Sequence, residues 1–225
     1  MGGQSTGGGG TAPPDCDLFS FFVTSLVAIQ SQSGSADGFG GDLGGLSGAD
    51  EICRRIAEAS MPCAGQKEWR AFLSTETENA IERIGNGPWY DRLGRTVALT
   101  LEDLPNTRPA SADPAIIYDL PNEDGIGNHA PEGEQVDNRE TLTGSDTDGR
   151  LYASDATCED WTSSAETGSP RVGHSWTGEP AENWISAMDA PGCAPGVNTS
   201  GASSTGLCVG CSGGYGGFYC FALTP

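Results

Sequence analysis

Basic residues are scarce in this chain of 225 residues. Eleven Lys plus Arg stand against 31 Asp plus Glu, for a formal net charge of −20, and His129 and His174 are the only histidines. Such a surface repels phosphate backbones and anionic membranes, which argues against nucleic-acid partners. Long apolar runs are missing too. The longest, Leu18–Ile29, is 12 residues broken by Ser20, Thr24 and Ser25. That is too short to span a bilayer as a helix, so no membrane insertion of the domain is expected. It also lacks the positive flank and small-residue cleavage site of a signal peptide, and reads instead as a buried strand or two. No internal repeat is visible.

What the chain does hold is 34 glycines, 14 prolines and eight cysteines. The first two predict a loop-rich fold with modest regular structure. The cysteines are even in number and widely spread, which suits disulfides formed in an oxidising compartment rather than paired zinc knuckles. Cross-links then replace part of a large core. Export of such a chain requires either a signal removed upstream of this numbering or a misassigned start. Residues 1–15 are Gly-rich with nothing to bury and read as a flexible tether, or equally as an unstructured tail or cloning remnant. Residues 16–225 read as one domain.

Phe19–Ser25 reads as a first strand and Ser31–Gly45 as loop. Ser47 as N-cap with Asp50 three residues on predicts a helix, and Ala49, Ile52, Cys53, Ile56 and Ala59 give it one apolar face that carries Cys53 inward. Met61-Pro62 ends it. Trp69–Ser74 reads as a short strand. Thr75 to Glu78 forms a second capping box, ahead of a short helix with Ala80, Ile81 and Ile84 inside. Short strands are expected within Trp89–Leu104, Ala115–Tyr118, Thr141–Thr143, Arg150–Ala153 and Gly217–Leu223, with an exposed acidic loop over Asp119–Glu140. Short helices early and short strands throughout make the fold class α+β.

Several segments in this order resemble endostatin-like domains. They are Phe22-Val-Thr-Ser25, Gly41-Asp-Leu-Gly-Gly-Leu-Ser-Gly-Ala-Asp50 with Cys53, Trp69-Arg-Ala-Phe-Leu-Ser74, Thr143-Gly-Ser-Asp-Thr-Asp-Gly149, Cys158-Glu-Asp-Trp161-Thr-Ser163 and Gly217-Phe-Tyr-Cys220-Phe. The same arrangement is familiar in exported bacterial proteins whose domain follows a Gly-rich tether. The resemblance covers most of residues 19–223, with insertions at 26–40, 119–140 and 194–216. It implies a C-type-lectin-like fold: two short helices on a twisted, mainly antiparallel sheet, with long loops and disulfide staples. It further implies a nested pair, Cys53–Cys220 and Cys158 with Cys211. Cys193 and Cys208 could then close the inserted loop between them, leaving Cys16 for Cys63, although eight cysteines allow 105 pairings and the spacing does not choose among them. The histidine-built zinc site and arginine-rich heparin surface of animal endostatins do not carry over, because neither histidine lies near the chain start and the surface is acidic.

Three chemistries compete with a plain binding role. Asp146-Thr-Asp148-Gly149 sets two carboxylates before a turn glycine, with Asp155, Glu159 and Asp160 nearby, which makes calcium the candidate cofactor. Against it, no Glu closes an EF-hand loop, and of the calcium-lectin triplets only Glu179-Pro180 and Asn183-Trp184 are present. A solvated acidic turn is the simpler reading. Cys208-Val-Gly-Cys211 offers half a zinc knuckle or a redox pair. His174-Ser175 has no nucleophile elbow, so hydrolysis has little support, and His174 reads as a loop or partly buried hydrogen-bonding residue. The aromatic residues are a further signal. Trp161 reads as core beside a disulfide, whereas Trp176, Trp184 and Tyr215 are the candidate ligand contacts.

The resulting expectation is an exported, non-catalytic binding domain. Its partner is an extracellular glycan or a surface protein, and Asp146 and Asp148 are its candidate cation ligands. The alternatives are a cysteine-based redox or metal enzyme on the same fold and a purely structural surface protein.

Overall fold

The computed structural model describes residues 16–129, 137–177, 182–200 and 204–223. The expected tether, residues 1–15, lies outside them, as do residues 130–136 of the acidic loop. The fold is mixed α+β, a few short helices on a sheet closed by four disulfides. The sheet is organised by its last strand. In chain order the elements are β1 (Phe21–Val23), α1 (Leu26–Ser33), α2 (Gly45–Ser60), β2 (Trp69–Ala71), α3 (Ala80–Arg83), β3 (Trp89–Tyr90), β4 (Thr96–Ala98), β5 (Glu140–Leu142), β6 (Arg171–His174), β7 (Met188–Asp189) and β8 (Gly214–Ala222). The main sheet runs β1-β8-β5-β6-β7, and β2 also pairs with β8. Only the β5–β8 pair is parallel. β3 and β4 form a separate ribbon.

All nine residues of β8 are buried, because both faces of the strand are covered. Phe218, Cys220 and Ala222 join Phe22, Ile52, Cys53, Ile56 and Trp69 on the α2 side. Tyr219 and Phe221 join Phe21, Phe72, Trp89 and Trp184 on the other. The alternation is the period-two rule for a strand with a core on each side. At Gly216 (φ 72°) it breaks: Glu140 faces Gly214 while Thr141 faces Gly217. This irregularity turns Tyr215 into the same core as Phe218.

The apolar run Leu18–Ile29 is divided between strand and helix, with helix continuing into the stretch expected to be loop. Ser25 starts it, accepting the Ala28 amide at 3.1 Å, while the buried Glu123 accepts both the Ser25 amide and its hydroxyl. α2 begins at Gly45, two residues before Ser47, and its N-cap is the left-handed Gly44. Its buried face is Ala49, Ile52, Cys53, Ile56 and Ala57, with Ala59 left exposed. Thr75 accepts the Glu78 amide at 3.1 Å, but helix α3 waits until Ala80. Ala115–Tyr118 is turn and Arg150–Ala153 makes only a single bridge, whereas β6 and β7 carried no strand expectation.

Cys53 on α2 is bonded to Cys220 on β8, and Cys16 to Cys63. Cys158 is bonded to Cys193 and Cys208 to Cys211, which differs from the implied Cys158–Cys211 and Cys193–Cys208 pairs. The local backbone explains the change. A turn in which the Cys211 amide donates to the Cys208 carbonyl (3.2 Å) sets those two Cα atoms 5.1 Å apart. Cys193 meanwhile is drawn to Cys158 because its carbonyl accepts the Gly41 amide at 2.8 Å, and a Cβ on Gly41 would stand 2.5 Å from the Cys158 sulfur. Cys158, Glu159, Asp160 and Trp161 all have positive φ, between 50° and 66°. Each such residue costs about 1–2 kcal/mol. The disulfide, the burial of Trp161 and its Nε1 bond to the Ser74 carbonyl (2.8 Å) hold the turn.

Loop length separates the staples energetically. Replacing Cys53 and Cys220 by Ala together is expected to cost roughly 5 kcal/mol in the chain-entropy account, against roughly 2 kcal/mol for Cys208 and Cys211. The sequence separations are 167 and 3 residues. Urea unfolding of the two double variants measures this, and equal losses would contradict it.

Candidate functional site

An open groove of about 580 Å³ lies along α2, β2 and α3. Its charges are spent on each other. The outer edge of β2 offers the Ala71 amide to Asp50 Oδ1 (2.8 Å) and the Ala71 carbonyl to Arg83 (2.6 Å), and Arg83 also bonds Asp50 (2.9 Å). Charged side chains thereby seal a sheet edge that would otherwise recruit another strand. Burial raises the Asp50 carboxyl above its usual range, with Arg83 opposing. These contacts brace α2 and α3 against β2.

A different arrangement stands where β5 and β6 meet. Arg108 is 6% exposed and donates to the carbonyls of Ile117 (2.7 Å), His174 (2.6 Å) and Ser175 (2.7 Å), which pins the end of β6. The chain then presents Trp176, half-buried. Its Nε1 donates to Asn138 Oδ1 at 2.6 Å. The His129 ring lies 3.9 Å from it centroid to centroid, and the Arg139 guanidinium stands 5.5 Å from its ring centroid.

Beneath Trp176 lies a titratable cluster. Glu140 and His174 are directly opposed across the antiparallel β5–β6 ladder, so they share a face. Glu140 is 4% exposed and accepts the Ser212 hydroxyl at 2.7 Å. Burial, reinforced by the charge of Asp137, pushes its carboxyl up to about 7. Burial also pulls the His174 imidazole below its ordinary range, against the pull of Glu182. A Glu182 oxygen lies 3.4 Å from His174 Nδ1, and Arg139 reaches Glu182 at 3.4 Å and Asp137 at 3.5 Å. Yet both ring nitrogens of His174, and Asp137 Oδ1, are buried without a hydrogen-bond partner.

Of the expected contacts, Trp176 alone belongs to this face. Trp184 is 0% exposed, packed edge-on against Tyr219 with its Nε1 on the Leu104 carbonyl (3.0 Å). Tyr215 is 1% exposed, its hydroxyl donating to the Thr24 carbonyl at 2.7 Å. Both rings are buried rather than exposed, because β8 and the β6–β7 connection draw them inside. Asp146 Oδ1 accepts the amides of Asp148 (2.9 Å) and Arg150 (3.0 Å), the pattern of a self-closed acidic turn. Among the described residues no group of three or more His, Cys, Asp or Glu is arranged to hold a metal. The Cys208 and Cys211 sulfurs sit under Gly196 and Gly206, where a Cβ would come within 2.3 and 2.5 Å.

His174 was expected to be a loop or partly buried hydrogen-bonding residue; it ends β6, is 6% exposed, and its ring nitrogens make no hydrogen bond. Asp137, Arg139 and Glu140 fall in the stretch expected to be an exposed acidic loop, but Leu120, Glu123, Asn128 and Glu140 are buried there and Glu140 opens β5; Glu182 carried no expectation. The four share no spacing, and only the β5–β6 register gathers them. The comparisons with known proteins add nothing to the geometry, since no family model and no curated protein matches the chain. Among the described residues no helix is long and apolar enough to cross a membrane. The four disulfides belong to an oxidising, extracellular type of environment.

Glu140 gives the site a pH signature. Its folded-state carboxyl titrates at about 7 against an ordinary 4.5, so the folded protein holds that proton more tightly. Its contribution to stability is lost as pH rises from about 4.5 to about 7, by roughly 3 kcal/mol in all. His174 acts oppositely, losing stability as pH falls below its ordinary 6.5. Glu140→Gln is therefore expected to be more stable than the parent at pH 8 and equal to it near pH 4.5, measured by urea unfolding. A constant difference at both pH values would contradict the assignment.

Proposed function

We propose that the chain is an exported, non-catalytic binding module of C-type-lectin-like, endostatin type. On this reading it meets a carbohydrate at a cell surface through the face carrying Trp176, and residues 1–15 tether it there. Two features support the fold reading. A long helix, α2, packs on the sheet through the Cys53–Cys220 bond, and the first and last strands, β1 and β8, are paired neighbours. The observation that carries the binding role is the half-buried Trp176, with the His129 ring and the Arg139 guanidinium near it, close to buried polar atoms that lack hydrogen-bond partners. Aromatic faces beside carboxylates and a guanidinium suit a hydroxylated ring, whose apolar face stacks while its hydroxyls both donate and accept. The acidic surface favours neutral or basic ligands over polyanions.

Thiol–disulfide exchange at Cys208–Cys211 is the second reading, favoured by the bonding of these two to each other. The glycine backbones over both sulfurs weigh against it.

Trp176→Ala is expected to lose glycan-array binding by at least about tenfold, with its melting temperature within a few degrees of the parent. Undiminished binding by the folded variant would overturn the assignment of this face.

A further inference from the structure

Asp137 Oδ1 and the two ring nitrogens of His174 are, among the described residues, the only buried side-chain nitrogen or oxygen atoms without a hydrogen-bond partner. All three lie in one cluster, at the face that carries Trp176. Native proteins rarely leave such atoms unmatched, and each one in a folded chain calls for an explanation.

The balance of charge and hydrogen-bonding capacity says what would match them. Asp137, Glu140 and Glu182 bring three carboxyl groups, and Arg139 brings the one guanidinium ion-paired among them. Its distances to Asp137 and Glu182, 3.5 and 3.4 Å, are long for charge-assisted bonds. The buried His174 is neutral at pH 7, so one ring nitrogen accepts. The cluster therefore has acceptors and negative charge in excess. A carboxylate or phosphate ligand would meet Asp137 and Glu182 head-on. A divalent metal has no set of three ligating side chains among the described residues. An ammonium group has three N–H donors, a positive charge and no acceptor. The aromatic rings of Trp176 and His129, 3.9 Å apart, form a wall that also favours a cation.

We propose that this site takes a primary ammonium group, carried by an amino sugar whose amine is free. The inference rests on the carbohydrate reading of the Trp176 face and narrows it. Asp137 Oδ1 and the unprotonated nitrogen of His174 accept two of the N–H bonds, and the Glu182 carboxylate accepts the third. Trp176 stacks on the ring that carries the amine.

The test is calorimetric titration of the full chain with glucosamine, glucose, N-acetylglucosamine and Nα-acetyl-lysine amide. Glucosamine is expected to bind at least about tenfold more tightly than glucose or N-acetylglucosamine. Asp137→Asn is expected to erase that preference. His174→Gln, a second variant in case the first fails to fold, is expected to reduce it. Weaker binding of the lysine derivative than of glucosamine would support a sugar-borne amine. Equal binding would support the ammonium but overturn the sugar as its carrier, pointing to a lysine side chain. If glucose or N-acetylglucosamine binds as tightly as glucosamine, the ammonium proposal falls while the Trp176 face stands. If none of the four binds, the proposal falls, and the glycan array with Trp176→Ala decides separately whether the face itself fails.

Discussion

Burial of β8 on both of its faces is the constraint on which the rest of the molecule depends. A strand of nine buried residues must satisfy its backbone through neighbours on both edges and its side chains through two separate cores. β1 supplies one edge, and β2 and β5 share the other. Cys220 ties the strand covalently to α2, so the helix cannot separate from the sheet while that bond is intact. Glycine makes up much of the first half of β8, and there the strand bends away from regular pairing at Gly216. That bend sends Tyr215 into the core and brings Ser212 to Glu140. The chemistry of the β5–β6 end is thus a consequence of how β8 begins.

Two kinds of electrostatics coexist in this chain. On the α2 side, carboxylates and guanidinium groups pair among themselves and close the open edge of β2. At the β5–β6 end they do not balance. Burial raises Glu140 and lowers His174, Arg139 is stretched between two carboxylates, and the three unmatched atoms are left inside. A fully paired network specifies structure, whereas an incomplete one is costly unless something completes it. Mixed sign in the groove and unmatched polar atoms near Trp176 set the two surfaces apart more sharply than size does.

Much of the scaffold was legible in the sequence. Apolar spacing over Ala49–Ile56 located the face of α2, and the strand expected over Gly217–Leu223 covers most of β8. Helix α1 was hidden because Leu18–Ile29 reads as one largely apolar run, and its start depends on Ser25 being held by Glu123, a contact 98 residues away in sequence. The start of α2 was misplaced because Asp50, which looks like a cap partner, is recruited to the edge of β2. At the site, Trp176 was legible as an aromatic in a loop-rich stretch. Trp184 and Tyr215 were not separable from it by composition, since their burial is decided by strand pairing and by one bend. Glu140 and His174 lie 34 residues apart and meet only through register.

Native-state hydrogen exchange tests the primacy of β8 most directly. The amides of Phe218–Phe221 are predicted to exchange only through global unfolding, with the slowest rates in the chain. The amides of β7 and of the β3–β4 ribbon, at the margins of the fold, should open earlier. If β8 exchanges as fast as those margins while α2 stays protected, the strand is not the organising element, and the account of the site built on it fails.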